Sequence, residues 1–242
     1  MEKSDLMKRA EDLSSRCERR GCVTNTSFLT PAEQYELRDC GAFFNGGPEG
    51  AERKIAFFLP EYFEESELDL SEYISAVKIQ SFFGTPGHRD YLGSIIGLGI
   101  KREWIGDISV VGDCAYVYCL PSVKKSLLNE LSRVGRISVK TAEIPLDEVP
   151  KEERKVKTMS FTVKSLRLDA VTGDLFRISR ETANEAVKAG LVSLNYSVCL
   201  KADSQIKEND VISFRGKGKG KITEVGGKTK KDRMFVSAEV YV

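Results

Sequence analysis

Between Arg167 and Asn195 the chain carries two short helical stretches with a tight turn between them. Ser179 opens the second, Gly190 closes it, and a β-hairpin follows at once. Ser ahead of a helical run caps free N–H groups, and Gly just past the run ends it. Alternating stretches at Thr158–Lys164, Asp210–Arg215 and Phe235–Tyr241 read as strands around this helix pair. A small α+β domain over 158–242 follows. Charge marks the same region: residues 151–242 hold 19 Lys+Arg against 12 Asp+Glu, whereas residues 1–150 hold 18 against 24. The chain as a whole is nearly neutral at +1, so the anion-binding end is the C-terminal third.

Within that domain, Ser179 and Arg180 stand at a helix N-terminus, where free N–H groups suit a phosphate oxygen. Arg167, Arg180 and Lys188 are placed to form a charged face along an RNA backbone, with Asp169 pairing with a neighbouring arginine and orienting it. Arg215-Gly-Lys217-Gly-Lys219-Gly-Lys221 is a second basic element, whose glycines let the backbone approach phosphate. It lacks P-loop spacing and precedes no helix, which excludes a nucleotide P-loop. Lys228, Lys230, Lys231 and Arg233 extend the charge, or form a solvated hairpin tip.

The order Arg167-Leu-Asp169, then Ser179-Arg180, then a helix ending in Gly190, then Val192-x-x-Asn195 resembles the S4 RNA-binding domain over roughly residues 160–222. With that resemblance beside the basic chemistry of the segment, the residues expected to contact RNA are Arg167, Ser179, Arg180, Lys188, Asn195, Tyr196, Arg215, Lys217, Lys219 and Lys221. One departure stands out. Many S4 domains read V-N-G at the hairpin, whereas this chain reads Leu194-Asn195-Tyr196, which puts the tight turn in question and offers a ring to stack on a base or to pack. Arg167-Leu-Asp169-Ala-Val-Thr172-Gly173 also resembles the catalytic string of one class of pseudouridine synthases. Leu166 replaces its leading glycine, the later glycine is out of register, and no large β-rich catalytic domain surrounds Asp169.

Upstream, Leu6–Arg20 has helical spacing, and Thr30-Pro-Ala-Glu33 is a capping box with Phe28 and Leu29 as staple residues, opening a helix that ends at Cys40-Gly41. Ile55–Leu59 is a buried strand, and Glu61–Asp69 an acidic connector. From about residue 71 the order is strand (Ala76–Phe83), helix (His88–Gly99), two strands joined at Gly112-Asp113, a helix from Pro121 to Gly135, and a strand (Arg136–Ile144). This is the βαββαβ order of the ferredoxin-like fold, shared by RNA-recognition domains. On it Tyr116 and Tyr118 either form a base-stacking platform or pack in the sheet. Pro145–Lys157 is a polar linker. The expected fold is α+β: an N-terminal α/β module (1–70), a ferredoxin-like domain (71–150) and an S4 domain (158–242).

Gly87-His88-Arg89-Asp90 through Lys101-Arg102-Glu103-Trp-Ile-Gly106-Asp107 resembles the YlmH family of bacterial S4 proteins, as do Phe28-Leu-Thr-Pro-x-Glu-Gln34 and Ala51-Glu52-Arg53. That resemblance implies a non-catalytic, cytoplasmic RNA-binding factor, monomeric off the ribosome. Its implied partners are rRNA of the large ribosomal subunit and tRNA carrying a nascent chain, and its implied process is ribosome-associated quality control. A genomic link to cell division is implied too. The competing readings are an RNA-modifying enzyme of pseudouridine synthase or methyltransferase type with an accessory S4 domain, and a cell-division adaptor.

His88-Arg89-Asp90 has none of the other kinase motifs, so helix capping by Asp90 and a salt bridge of Arg89 are expected; Gly93 and Gly97 fit close helix packing. No cofactor and no metal are expected: the six cysteines form no C-x-x-C pair, and the single histidine is distant from them. Cys114, Cys119 and Cys199 read as small buried hydrophobes. No apolar run is long enough to cross a bilayer and no secretory h-region is visible, so no membrane partner is expected.

Overall fold

The computed structural model describes residues 4–150, 156–229 and 232–241, and the chain divides into two compact units, Met1–Glu152 and Glu153–Val242. Residues 151–155 of the expected linker, and Lys230 and Lys231 of the basic run, lie outside the described residues.

The first unit opens with α1 (Asp5–Arg20), whose first turn is capped by Ser4 Oγ accepting from Met7 N at 3.1 Å. Then come β1 (Thr24–Leu29), α2 (Pro31–Glu36), β2 (Phe43–Asn45) and β3 (Lys54–Phe58), forming an antiparallel sheet in the order β1-β3-β2. The expected capping box is present, with Thr30 N donating to Glu33 Oε2 at 2.6 Å, although α2 stops at Glu36 rather than at Cys40. Phe28 and Leu29, expected as staple residues, are instead strand residues of β1 and buried.

A second sheet follows: β4 (Ser75–Ser81), α3 (His88–Gly97), β5 (Ile105–Val111), β6 (Cys114–Cys119), α4 (Pro121–Glu130), the two-residue β7 (Arg133–Val134) and β8 (Ile137–Ile144). Its order, β5-β6-β4-β8-β7, is ferredoxin-like with one added edge strand. Side chains alternate across a strand, so each sheet face needs its own cover. Val77, Ile79 and Val117 face α3 and α4, packing with Tyr91, Ile95 and Leu127. Ala76, Tyr116 and Tyr118 face the other way, against Phe28, Ile55 and Phe57 of the first sheet.

That packing decides between the two roles open to Tyr116 and Tyr118. They are 7% and 3% exposed, so they are core residues and not a base-stacking platform. Gly106 lets the Phe28 ring reach the sheet, since a Cβ there would lie 2.7 Å from Phe28 Cε1. Arg53 ties the junction: its Nε donates to Ile105 O at 3.0 Å and its Nη2 to Phe28 O at 2.8 Å.

Asp90 does cap α3, accepting from Gly87 N at 2.8 Å. Gly93 and Gly97, however, face open space, so close helix packing does not explain them. Cys114 and Cys119 are buried as expected, whereas Cys199 is half-buried with Sγ 3.2 Å from Ser204 Oγ. Among the described residues no helix is long and apolar enough to cross a membrane.

The second unit comprises β9 (Val156–Val163), α5 (Leu168–Leu175), α6 (Arg180–Lys188), β10 (Val192–Leu194), β11 (Ser197–Val198), β12 (Val211–Phe214), β13 (Gly218–Lys228) and β14 (Met234–Tyr241). The strands make one antiparallel sheet in the order β11-β10-β12-β13-β14-β9. Both helices pack on a single face of it. Leu168, Val171, Leu175 and Val187 meet Val163, Ile212, Phe214, Ile222, Val236 and Ala238. Each fully buried aliphatic side chain contributes about 1.5–3 kcal/mol of transfer free energy. The helix pair is therefore a rigid platform for whatever its outer surface carries.

Candidate nucleic-acid interface

The outer surface of the helix pair is organised around one buried carboxylate. Asp169 lies in the first turn of α5 and is 2% exposed. Its Oδ1 accepts from Arg167 Nε at 3.1 Å and from Ala170 N at 2.8 Å, and its Oδ2 accepts from Arg167 Nη2 at 3.2 Å and Arg180 Nε at 3.1 Å. Burial alone would raise its pKa, but the hydrogen bonds from Arg167 and Arg180 outweigh that and hold the carboxyl below the ordinary aspartate range. The expected pairing of Asp169 with a neighbouring arginine is present, and doubled.

This arrangement fixes two guanidinium groups while leaving part of each outside. The Arg167 and Arg180 side chains are 34% and 53% exposed. A guanidinium has five N–H donors, so each arginine engaged through one edge still presents others to solvent. The N-terminus of α5 is sealed from anions by the chain itself, since Leu168 N donates to Ser204 O at 2.9 Å and Asp169 N to Ala202 O at 3.0 Å. At α6, Ser179 Oγ is the N-cap, accepting from Thr182 N at 3.0 Å. Arg180, Asn184 and Lys188 recur every four residues along α6 and so share one stripe. Asn184, which the sequence reading missed, lies between the two cations and lines a hollow with Asp169, Arg180 and Lys188.

The remaining predicted site residues divide by position. Arg215 and Lys217 occupy the turn between β12 and β13 and are exposed. Arg215 N donates to Leu191 O at 2.9 Å, which seats this turn beside the end of α6 that carries Lys188. Lys219 and Lys221 do not join them. Both belong to β13, in register with Ser213 and Val211 of β12, on the sheet face opposite the helices. Lys219 Nζ lies 4.8 Å from the centroid of the Tyr241 ring. The glycine between them packs the helix platform: a Cβ on Gly220 would stand 3.1 Å from both methyl groups of Leu175. The alternation that suggests a phosphate-hugging string is thus, at Gly220, a close helix–sheet contact. Of the last basic run, Lys228 Nζ pairs with Asp232 at 2.7 Å, and Arg233 donates to Thr162.

Asn195 and Tyr196 form the hairpin turn itself. Leu194 pairs with Ser197 across it, and both turn residues have positive φ, 48° and 68°. Two positive φ values describe the type I′ geometry that matches strand twist. The tight turn therefore survives without glycine. Asn195 is held by Asp210, with Nδ2 to Oδ1 at 2.8 Å, and its Oδ1 accepts from Val211 N at 3.0 Å. Tyr196 sits where a Cβ is disfavoured by about 1–2 kcal/mol. Tyr196→Gly is expected to raise the stability of this unit by about 1 kcal/mol in urea denaturation. The same variant should bind RNA more weakly if the ring contacts a base; equal stability would remove the strain argument.

Comparison with known proteins adds to this geometry. A family model described as the putative RNA-binding domain in YlmH matches residues 66–148. The ribosome-associated protein quality control protein P2 of Bacillus subtilis (strain 168) is 34% identical over 220 residues, covering 88% of this chain and 86% of that protein. The solved structure of cell division protein ylmH from Streptococcus pneumoniae resembles this one with a TM-score of 0.51 at 21% identity, covering 62% of this chain and 97% of that one. At that identity the likeness speaks for the fold.

Proposed function

The chain belongs to the YlmH family, and we propose that it is a non-catalytic RNA-binding factor of ribosome-associated quality control. In this reading it works in the cytoplasm at the large ribosomal subunit. The helix pair of its S4-type domain grips the rRNA backbone there, with tRNA as a second RNA partner. The observation that carries the reading is the Asp169 bracket, which orients Arg167 and Arg180 while both remain open to solvent. Arginines held in a fixed direction recognise phosphate bidentately and lose little freedom on binding. Asp169 itself is buried behind them, which favours a positioning role over attack on a uridine. The three-part division at residues 70 and 158 is proposed along with this, the module at 1–70 closing the central sheet.

Charge reversal tests the grip. Arg180→Glu with Lys188→Glu should release the protein from large ribosomal subunits in sedimentation, and unchanged co-sedimentation would sink the proposal. Both side chains are exposed and Asp169 keeps Arg167, so the double variant should fold with some loss of stability, which its melting temperature checks. Wild-type affinity should fall steeply with salt. If Arg167, Arg180, Lys188, Arg215 and Lys217 each neutralise one phosphate, the log–log slope is about −4. A flat salt titration would argue against a backbone grip.

A further inference from the structure

The family model described as a putative RNA-binding domain matches residues 66–148, within the first unit, yet the central sheet there has both faces covered, by the first sheet on one side and the two helices on the other. Any contact it makes must lie elsewhere. At the end of β4 the chain runs through Phe82-Phe83-Gly84-Thr85-Pro86-Gly87 before α3. Phe82 is 57% exposed and Phe83 85% exposed, two adjacent phenyl rings left in water.

The segment that holds them is pinned. Ser81 Oγ lies 2.8 Å from Gly84 O and 2.9 Å from Asp113 O, and Phe82 N donates to Ser138 O at 3.3 Å. Gly87 N donates to Asp90 Oδ2 at 2.8 Å, closing the loop onto α3. The turn between β7 and β8 lies alongside, joined to α3 by Gly135 N donating to Ser94 Oγ at 3.2 Å.

The surroundings are cationic. Arg133 and Arg136 flank the β7–β8 turn, Lys140 pairs across from Gln80 at the end of β4, and Arg89 lies in the first turn of α3, all exposed. Of the nearby acids, Asp90 is occupied with the Gly87 N–H, and Asp113 accepts from Gln80 at 3.4 Å.

We propose that the Phe82–Phe83 loop is a docking point for single-stranded RNA. Unpaired bases stack on the two rings, and Arg89, Arg133, Arg136 and Lys140 neutralise the phosphates between them. Exposed aromatic rings interleaved with cations are what an unpaired strand requires, because every base has a π-face and every linkage a charge. A duplex hides its base faces and gains nothing from the rings. A neutral protein surface would leave the cations without partners. The proposal rests on the RNA-binding reading above and assigns it a second contact, on a different unit.

The test uses the full chain carrying Arg180→Glu and Lys188→Glu, so that the helix pair contributes little, with a fluorescent oligouridylate and a blunt RNA duplex of equal length as probes. Adding Phe82→Ala and Phe83→Ala should weaken oligouridylate binding by roughly tenfold or more, leaving duplex binding unchanged. Phe82→Leu with Phe83→Leu keeps apolar bulk without a π-face and should lose nearly as much. Arg136→Glu should weaken the oligouridylate and flatten its salt slope by about one. Both rings are exposed, so the melting temperature should not move. Three results would overturn the proposal: no oligouridylate binding in the starting background, full affinity in the alanine pair, or full affinity in the leucine pair. Reduced ribosome co-sedimentation when the alanine pair is placed in the otherwise wild-type chain, with unchanged oligouridylate binding, would overturn it too, and assign the loop to a protein. If the charge reversals fail to release ribosomes while the alanine pair loses the oligouridylate, the helix-pair reading falls and this one stands.

Discussion

Asp169→Ala should unfold the second unit more easily by about 2–3 kcal/mol, lowering its melting temperature by roughly 10–20 °C. The carboxylate is buried and brackets Arg167 and Arg180, and removing it leaves two cations at close range without the carboxylate that both of them grip. Breaking a fully buried pair costs about 3–5 kcal/mol, but both arginines reach water here, which screens the loss. RNA affinity should fall about tenfold as well, because two rotamer-rich side chains lose their fixed direction. Arg180→Ala is the informative contrast: Asp169 keeps Arg167, so stability should drop less while affinity drops comparably. Calorimetry and ribosome sedimentation on the two variants separate positioning from direct contact. Equal stability of Asp169→Ala and wild type would mean that the bracket holds nothing.

The same carboxyl gives a pH dependence with a definite sign. Its folded pKa is depressed below the ordinary value of about 3.9. Its stabilising effect is complete above that value and disappears as pH falls through the folded one. The extra acid sensitivity of wild type over Asp169→Ala therefore belongs below about pH 4, and the two should run parallel from there to neutrality.

Arg53→Ala is the second large effect, expected in the first unit at about 3 kcal/mol, or roughly 6–12 °C in melting temperature. Arg53 is 9% exposed. Its own backbone N–H and that of Glu52 donate to Asp107 at 3.0 and 2.7 Å, while its guanidinium bridges Phe28 O of β1 and Ile105 O of β5. Arg102 reinforces the junction, with Nη1 2.6 Å from Ile105 O. Burial foremost, and then the neighbouring Arg53, push the Arg102 pKa down to about 10, so its guanidinium stays charged at neutral pH. Truncating Arg53 leaves Phe28 O without its guanidinium donor in a closed junction, a desolvation cost the folded state must absorb. Arg53→Lys should recover little, because one ammonium cannot reproduce the planar fork across two strands. Full stability of Arg53→Lys would show that charge alone holds the junction.

Much of the fold is legible in the residues, for reasons that are local. Ser179, Thr30 and Asp90 cap helices by contacts within three residues, so their spacing alone announces them. The βαββαβ order is equally readable, because alternation and turn signals are short-range. Strand β1 is not: Phe28 and Leu29 stand beside a capping box, and only β3 makes them strand residues. Strand β13 is hidden differently. Glycine and lysine have low strand propensity, and Gly218–Lys221 becomes strand through its ladders with β12 and β14.

The candidate site is legible to the same degree. Helix caps and helical periodicity are encoded within a few residues, and they suffice to put Arg167, Asp169, Arg180 and Lys188 on a helix pair. That one carboxylate holds both arginines, the second of them eleven residues away along the chain, emerges from the packing of α5 against α6. Tertiary packing also decided that Lys219 and Lys221 face away from the helices, and that Tyr116 and Tyr118 are core while Phe82 and Phe83 meet water. One cause runs through all of these. A residue's type and spacing set the face it occupies on its own element, but what covers that face comes from segments distant in sequence.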